Sequence, residues 1–372
     1  MGAQPTGAGT PPLDRLPRHE AGVASRPPRG QSLYTDLARD IRSSGLLERR
    51  VGYYWTRIGT AVVAFVLLWV GFFVLGASWY QLLLAAGLGL LMTQFGFLGH
   101  DAAHRQIFGS ARWNDGASRV FASVFAGMSH GWWRSKHNRH HAAPNQQGRD
   151  PDIKPGPIAF TAEDAQARTR GPAHWFLVRQ GWLFFPLLTL ESLNLQQASI
   201  SPLFAPGTPW LQRVEAVLVA LRLAGYIAVL LLVLSPAQAA VFFAVQSAVF
   251  GLCLGGSFAP NHKGMPIVPP TARIDFLRRQ VLMSRNIRGG FWVDTAMGGL
   301  NYQIEHHLFP SMPRPNLKRA QPIVRAYCDQ HGVSYTETGL FRSYGIVVGY
   351  LNEVGLRARG PFDCPMVSLM RD

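Results

Sequence analysis

At 372 residues and 41.1 kDa the chain is long enough for two soluble domains, and its formal charge of +15 with a pI near 10.4 would suit a nucleic-acid binder. The placement of the charge excludes that reading: no charged residue occurs from Ile58 to His100 or from Leu223 to Asn261, whereas soluble helices of that length carry a charged face. Three cysteines, Cys253, Cys328 and Cys364, stand in no CxxC spacing, so neither a disulfide framework nor a thiolate zinc site is expected.

In chain order, residues 1–31 are rich in Pro, Gly and Arg and lack an apolar core, which predicts a disordered tail and not a signal peptide. Ser32 to Arg50 places Leu33, Leu37, Ile41 and Leu46 or Leu47 on one helical face, predicting an amphipathic helix on a membrane surface. Each uncharged run is long enough for two spans of ~20 residues. The first pair is expected over roughly 58–76 and 79–98, turning at Gly76-Ala77-Ser78, with the second helix continuing far enough to carry His100 and His104.

The middle segment contains Trp132 and Trp133, His130, the cluster His137-Asn138-Arg139-His140-His141, and then Asp150-Pro151-Asp152 in a polar loop. His174 to Asn194 is apolar but is interrupted by Arg179, Gln180, Pro186 and Glu191, so it reads as an interfacial helix and not a fifth span. The second pair of spans is expected over roughly 214–234 and 237–258, with Arg222 snorkelling and His262 delivered just past the last span. Helices over 275–286 and 316–330 flank a third cluster, Gln303-Ile304-Glu305-His306-His307, and residues 358–372 form a C-terminal tail.

Arg49, Arg50 and Arg57 precede the first span, seven cations from Arg105 to Arg149 follow the second, and neither hairpin turn is charged. The positive-inside rule then puts both termini, the middle segment and all three histidine clusters in the cytoplasm. The expected fold is all-α: an integral membrane domain over 32–357 with four transmembrane helices and a cytoplasmic helical cap carrying the histidines.

On a helix, residues at i, i+3 and i+4 share a face, so each cluster can aim its rings at one point. Seven of the 12 histidines fall in the three clusters, more neutral nitrogens than one tetrahedral ion uses, which points to two ions. Imidazole suits iron, zinc or copper, and the count alone does not choose. A metal-bound imidazole also needs an acceptor for its other N–H, and Asp101, Asp150 or Asp152, and Glu305 are candidates.

With HDAAH, HNRHH and QIEHH on one side of a four-span protein, the sequence resembles the membrane fatty acid desaturases, and most closely the front-end, linoleoyl-CoA-like branch whose third motif begins with Gln. The resemblance covers about Leu33 to Glu353. It implies a di-iron centre ligated by His100, His104, His137, His140, His141, His306 and His307, with His262 as an additional ligand and Gln303 in weak or water-mediated contact. It also implies oxidation of adjacent methylenes of an acyl-CoA or acyl-lipid, using O2 and two external electrons. No HPGG haem motif occurs in the chain, so a separate donor, a ferredoxin or similar protein with its reductase, is expected.

Regioselectivity on an unactivated chain must come from an apolar tunnel, for which Trp132, Trp133, Phe291 and Trp292 are candidate lining residues. Arg278 and Arg279 are candidates for an anionic head group. The preference for arginine over lysine suggests a bacterial plasma membrane. Competing readings are a di-iron lipid hydroxylase, a membrane zinc hydrolase of lipid amides or esters, and a non-catalytic metal or lipid sensor.

Overall fold

The computed structural model describes residues 32–168 and 170–356. The N-terminal tail and the C-terminal tail expected from the sequence lie outside the described residues.

Chain order begins with α1 (Leu33–Ser43), α2 (Val51–Leu75) and α3 (Gln81–Ala103). The hairpin between α2 and α3 closes at Gly76, whose φ of 57° favours glycine, and the Gln81 side chain donates to the carbonyls of Phe72 and Gly76. Next come α4 (Ala111–Arg119), a π-helical turn (Val120–Ala126) and α5 (His130–Ala142). A series of short helices follows: α6 (Ala162–Gln166), α7 (Gly171–Leu177), α8 (Gln180–Leu188) and α9 (Glu191–Ile200). The second long hairpin is α10 (Trp210–Val233) and α11 (Pro236–His262), whose turn is set by a capping box in which Ser235 and Gln238 satisfy each other's backbone N–H groups.

Beyond it are α12 (Phe276–Leu282), β1 (Asn286–Arg288), α13 (Phe291–Ala296), α14 (Gln303–Leu308), α15 (Arg314–Gln330), β2 (Glu337–Gly339) and α16 (Leu340–Leu356). β1 and β2 pair in parallel, Asn286 opposite Glu337, a three-residue ribbon absent from the all-α expectation. Otherwise the fold is helical, with α2, α3, α10 and α11 each long and apolar enough to cross a membrane.

These four are not equivalent. About half of the most apolar stretch of α3 is buried and 44% of that of α11, against 11% for α2 and 17% for α10. The inner pair therefore forms the core of the bundle and the outer pair offers its surface to lipid. Close approach of the inner pair depends on Gly89, where a Cβ would lie 2.7 Å from the Gln246 carbonyl oxygen.

Three expectations are corrected. The apolar face of α1 does not lie free for a bilayer: Leu37 and Ile41 are buried with Leu277, Leu308, Phe309 and Val324, so α1 is bolted onto the histidine-bearing cap. The single interfacial helix over 174–194 is three helices. It breaks at Arg179 and Leu190, and Gln180 at the first break is buried, its side chain bonding the backbone of Ala159 and Leu351. The helix expected over 275–286 stops at Leu282, because Asn286–Arg288 are taken into the ribbon with β2.

Candidate metal centre

α3 and α11 end side by side on the same face of the bundle, delivering His100 and His104 from one and His262 from the other. α5 and α14 lie across those ends and bring His137, His140, His141, His306 and His307. Their nitrogens gather into two sets. His100, His104, His137, His141 and His306 each offer a ring nitrogen within 4.8 Å of the others', and His140, His262 and His307 do the same.

The adjacent pairs are split between these sets. On a helix, neighbouring residues point ~100° apart while i and i+4 share a face. Accordingly His137 and His141 face the first set and His140 the second; His306 belongs to the first and His307 to the second. Each cluster ending in His-His thus serves two points and not the single point expected from its spacing. The sets touch where the His141 and His307 rings stack with centroids 4.2 Å apart.

Outer partners fix which nitrogen faces inward. His140 Nδ1 lies 3.1 Å from both oxygens of Asp150, His262 Nδ1 lies 2.9 Å from the Met283 carbonyl, and His307 Nδ1 lies 2.9 Å from Gln280 Oε1. These acceptors require N–H at Nδ1 and leave Nε2 bare. The inward nitrogens then crowd: His104 Nε2 and His137 Nε2 are 2.8 Å apart, His141 Nε2 and His137 Nε2 3.0 Å, His140 Nε2 and His262 Nε2 3.3 Å. The Nε2 atoms of His100 and His307, and both ring nitrogens of His306, are buried with no hydrogen-bond partner. Buried lone pairs left unsatisfied are costly, and a cation relieves them.

Electrostatics point the same way. Burial, followed by the influence of neighbouring imidazoles, holds His104, His137, His141, His306 and His307 well below the ordinary histidine range, so their rings are neutral near pH 7, the form a metal ion requires. His140 is the exception: burial opposes its charge, but Asp152 and Asp150 outweigh that and raise it. Asp150 also accepts the backbone N–H of Asn145 and of Asp152, so it is at once a turn-forming Asp and the acceptor for His140. Asp152 lies 3.3 Å from His140 Nδ1 and pairs with Lys136.

The remaining expected residues divide. Asp101 Oδ1 is 3.4 Å from His100 Nδ1, and Oδ2 forms a 2.5 Å ion pair with the buried Arg314. Gln303 turns its amide nitrogen toward His262 Nε2 at 2.9 Å, while its oxygen accepts from Asn261. Glu305 orients no ring: one residue from His306 it points elsewhere, accepting from Asn286 at 2.7 Å and Tyr335 at 2.6 Å, and burial pushes its carboxyl up to about 7. Trp133 stacks on His137 with centroids 4.5 Å apart, and Trp132, half-buried, donates its backbone N–H to Ser129 Oγ. Phe291 and Trp292 are 70% and 79% exposed on α13, which buries no residue, and so line no enclosed tunnel.

His130 joins neither set; its Nδ1 lies 2.9 Å from Ser118 Oγ. Arg278 pairs with Asp275 at 2.9 Å, and Arg279 donates to the carbonyls of Ala142 and Ile274.

Three residues with a part in this architecture carried no signal in the sequence. Gln280 accepts from His307 and donates to the His141 carbonyl at 2.9 Å, tying together the two histidines whose rings stack between the sets. Arg314 anchors Asp101, and Asn145, at φ 54°, clasps the end of α11 through the His262 and Pro266 carbonyls. A lone Gln, Arg or Asn has no periodicity, and each acts on residues remote in sequence.

Comparison with known proteins gives a consistent result. Residues 77–339 match the family described as fatty acid desaturase. The chain is 31% identical over 290 residues to an acyl-lipid (9-3)-desaturase of Physcomitrium patens, an alignment covering 73% of this chain and 52% of that protein. It is 29% identical to a Delta(5) fatty acid desaturase of Caenorhabditis elegans, covering 85% and 72%, and 28% identical to a Delta(8)-fatty-acid desaturase of Helianthus annuus, covering 88% and 74%. The chain thus spans about half the length of the first of these relatives and about three quarters of the others.

Proposed function

Since the chain belongs to the fatty acid desaturase family, we propose that it introduces a cis double bond into a fatty acyl chain, CoA-linked or lipid-linked, drawing on O2 and two externally supplied electrons. The observation that carries the reading is the pair of histidine sets, five rings and three, side by side at the ends of α3 and α11 with their lone pairs converging. Two iron ions fit that donor set, and when bound they would supply the oxidising power to break an unactivated C–H bond.

The protein's own part is positional. His100, His104, His137, His141 and His306 would hold one ion, and His140, His262 and His307 the other, with the Gln303 amide at the edge of the second set. Asp101, Asp150, Gln280 and the Met283 carbonyl keep the imidazoles in the tautomer that presents Nε2. The Asp150–Asp152 pair lies against the second set alone, so the sets differ in electrostatic environment. Burial of all eight rings to at least an intermediate degree limits water at the centre.

The distribution of cations supports an orientation with this face in the cytoplasm, and residues 32–357 would act as one membrane domain. Electrons would come from a separate carrier such as a ferredoxin with its reductase.

Fatty-acid profiling of a desaturase-deficient host expressing the chain, with dimethyl disulfide adducts locating the new alkene, tests the reading. The expected result is a new monoene or polyene that depends on O2 and on His140 and His307, with about two irons per purified chain. An added oxygen without a new double bond, or a single zinc with hydrolytic activity, would overturn it.

A further inference from the structure

Away from the histidines, α10 carries an arginine where the spans face lipid. Arg222 lies eight residues past the start of the span expected from about 214, a rise of about 12 Å along the helix. No carboxylate pairs with it among the described residues: its guanidinium sits 5.0 Å over the Tyr226 ring and reaches Met92 Sδ at 3.8 Å. Tyr226 is itself held by the Gln246 side chain, at 3.1 Å, and Gln246 donates to the same Met92 sulfur. Gly127, left-handed at φ 74° after the π-helical turn, leaves room for the guanidinium, since a Cβ there would lie 3.3 Å from it. An ionised group at membrane depth without a counter-charge is expensive, and such groups mark functional sites.

The same arginine lines a cavity of about 470 Å³ walled by α2, α3, the π-helical turn and α10, through Phe65, Trp69, Met92, Phe125, Tyr226 and Val229. That volume is in the range that holds a ligand of moderate size, and apart from Arg222, the Tyr226 hydroxyl and the Trp69 indole N–H the side chains lining it are apolar. Two of the walls belong to the outer helices, where Phe73 and Leu221 are exposed, so the groove opens sideways toward lipid. Phe65 and Phe125 of its wall pack on each other and on Phe95 of α3, Phe95 on Phe125 with centroids 3.9 Å apart.

We propose that this groove is a lateral binding site for an anionic phospholipid of the surrounding bilayer, one acyl chain lying along Phe65, Trp69 and Val229 and the phosphate meeting Arg222. Helical side chains lean toward the N-terminus of their helix, so the guanidinium reaches toward the leaflet on the histidine side. A phosphodiester is the better counter-ion at that depth: desolvation raises the pKa of a fatty-acid carboxyl and drains its charge, while the phosphodiester stays anionic.

The test uses the purified holoprotein in mixed micelles and reads tryptophan quenching by lipids brominated on the acyl chain, taken as the difference between the protein and its Trp69→Phe variant. Brominated phosphatidylglycerol is expected to quench Trp69 at lower mole fraction than brominated phosphatidylcholine, and Arg222→Gln to weaken that preference about tenfold or more, the worth of a charge-assisted contact. Gly225→Leu supplies a second variant: a Cβ at Gly225 meets nothing within 4 Å, so the side chain projects into the groove without disturbing the helices, and it is expected to abolish the preference with Arg222 intact. Equal quenching by the two lipids, a preference that survives either variant, competition by inorganic phosphate alone, or tighter binding of brominated oleate than of phosphatidylglycerol would each overturn the proposal.

Discussion

Replacing Arg314 with Met isolates one charge in the support of the first histidine set. Arg314 and Asp101 are 6% and 2% exposed, their ion pair is 2.5 Å long, and Asp101 Oδ1 faces His100 Nδ1. Methionine keeps the aliphatic stem that fills the space over Gly299, where a Cβ would lie 2.4 Å from the arginine Cγ, and the backbone N–H of residue 314 still reaches the Tyr54 hydroxyl at 3.1 Å. What is lost is the counter-charge of a buried carboxylate, for which the expected cost is about 3–5 kcal/mol.

If that cost comes from stranding Asp101, the double variant Asp101→Asn/Arg314→Met should regain much of the stability, since it removes the charge that was left alone. Neither variant should regain the orientation of His100, and retention of the first metal should fall about 10- to 100-fold in both. The measurements are unfolding midpoints of the two variants against wild type and iron content after dialysis against a graded chelator. An Arg314→Met protein as stable as wild type, or a double variant no more stable than the single one, would refute the reasoning.

Gln280→Leu should weaken metal retention about tenfold by freeing His307 Nδ1, an effect read by chelator titration and absent from the neighbouring Arg278→Leu. Asp150→Asn removes one of the two carboxylate charges against His140, leaving that of Asp152, and is expected to cost about 10- to 100-fold in metal affinity at the second set, measured in the same titration. Burial pushes His130 from 6.5 down to about 4. The unfolded chain therefore binds a proton below about pH 6.5 that the folded chain refuses until about pH 4, so stability from this group is present above 6.5 and lost as pH falls through that window, by at most about 3 kcal/mol. His130→Asn should flatten the corresponding segment of the unfolding midpoint against pH. Gly251→Ala places a Cβ 2.4 Å from the Leu188 carbonyl oxygen and should destabilise the packing of α11 on α8 and α9 by at least about 1–3 kcal/mol, seen in the thermal midpoint.

The spans were legible because a bilayer imposes length and composition locally: the charge-free runs and the turns at Gly76 and Ser235 mark the two hairpins within a few residues. What faced what was not legible. Leu33, Leu37 and Ile41 make the same stripe whether their partner is lipid or Leu277 and Phe309, and periodicity reports only that an apolar partner exists. Over 174–194 the interruptions were visible, but their consequence depends on Leu351 and Ala159, which accept the Gln180 amide from other parts of the chain. The β1–β2 ribbon has too few residues on either strand to show alternation.

At the centre, spacing identified the histidine-bearing helices that converge but not how the rings divide. Each His-His pair is a fork: with i and i+4 fixed on one set, as His137 and His141 are, the intervening His140 must point elsewhere, and it does so toward Asp150 and His262. The same fork recurs at His306 and His307, where Gln303, four residues before His307, shares its face and meets His262. Two forks from α5 and α14 therefore bind the two sets into one object, so loosening either helix should disturb both positions together. That coupling predicts that metal is lost from His140→Ala or His307→Ala as a pair and not singly, and a stable species retaining one iron in either variant would argue against it.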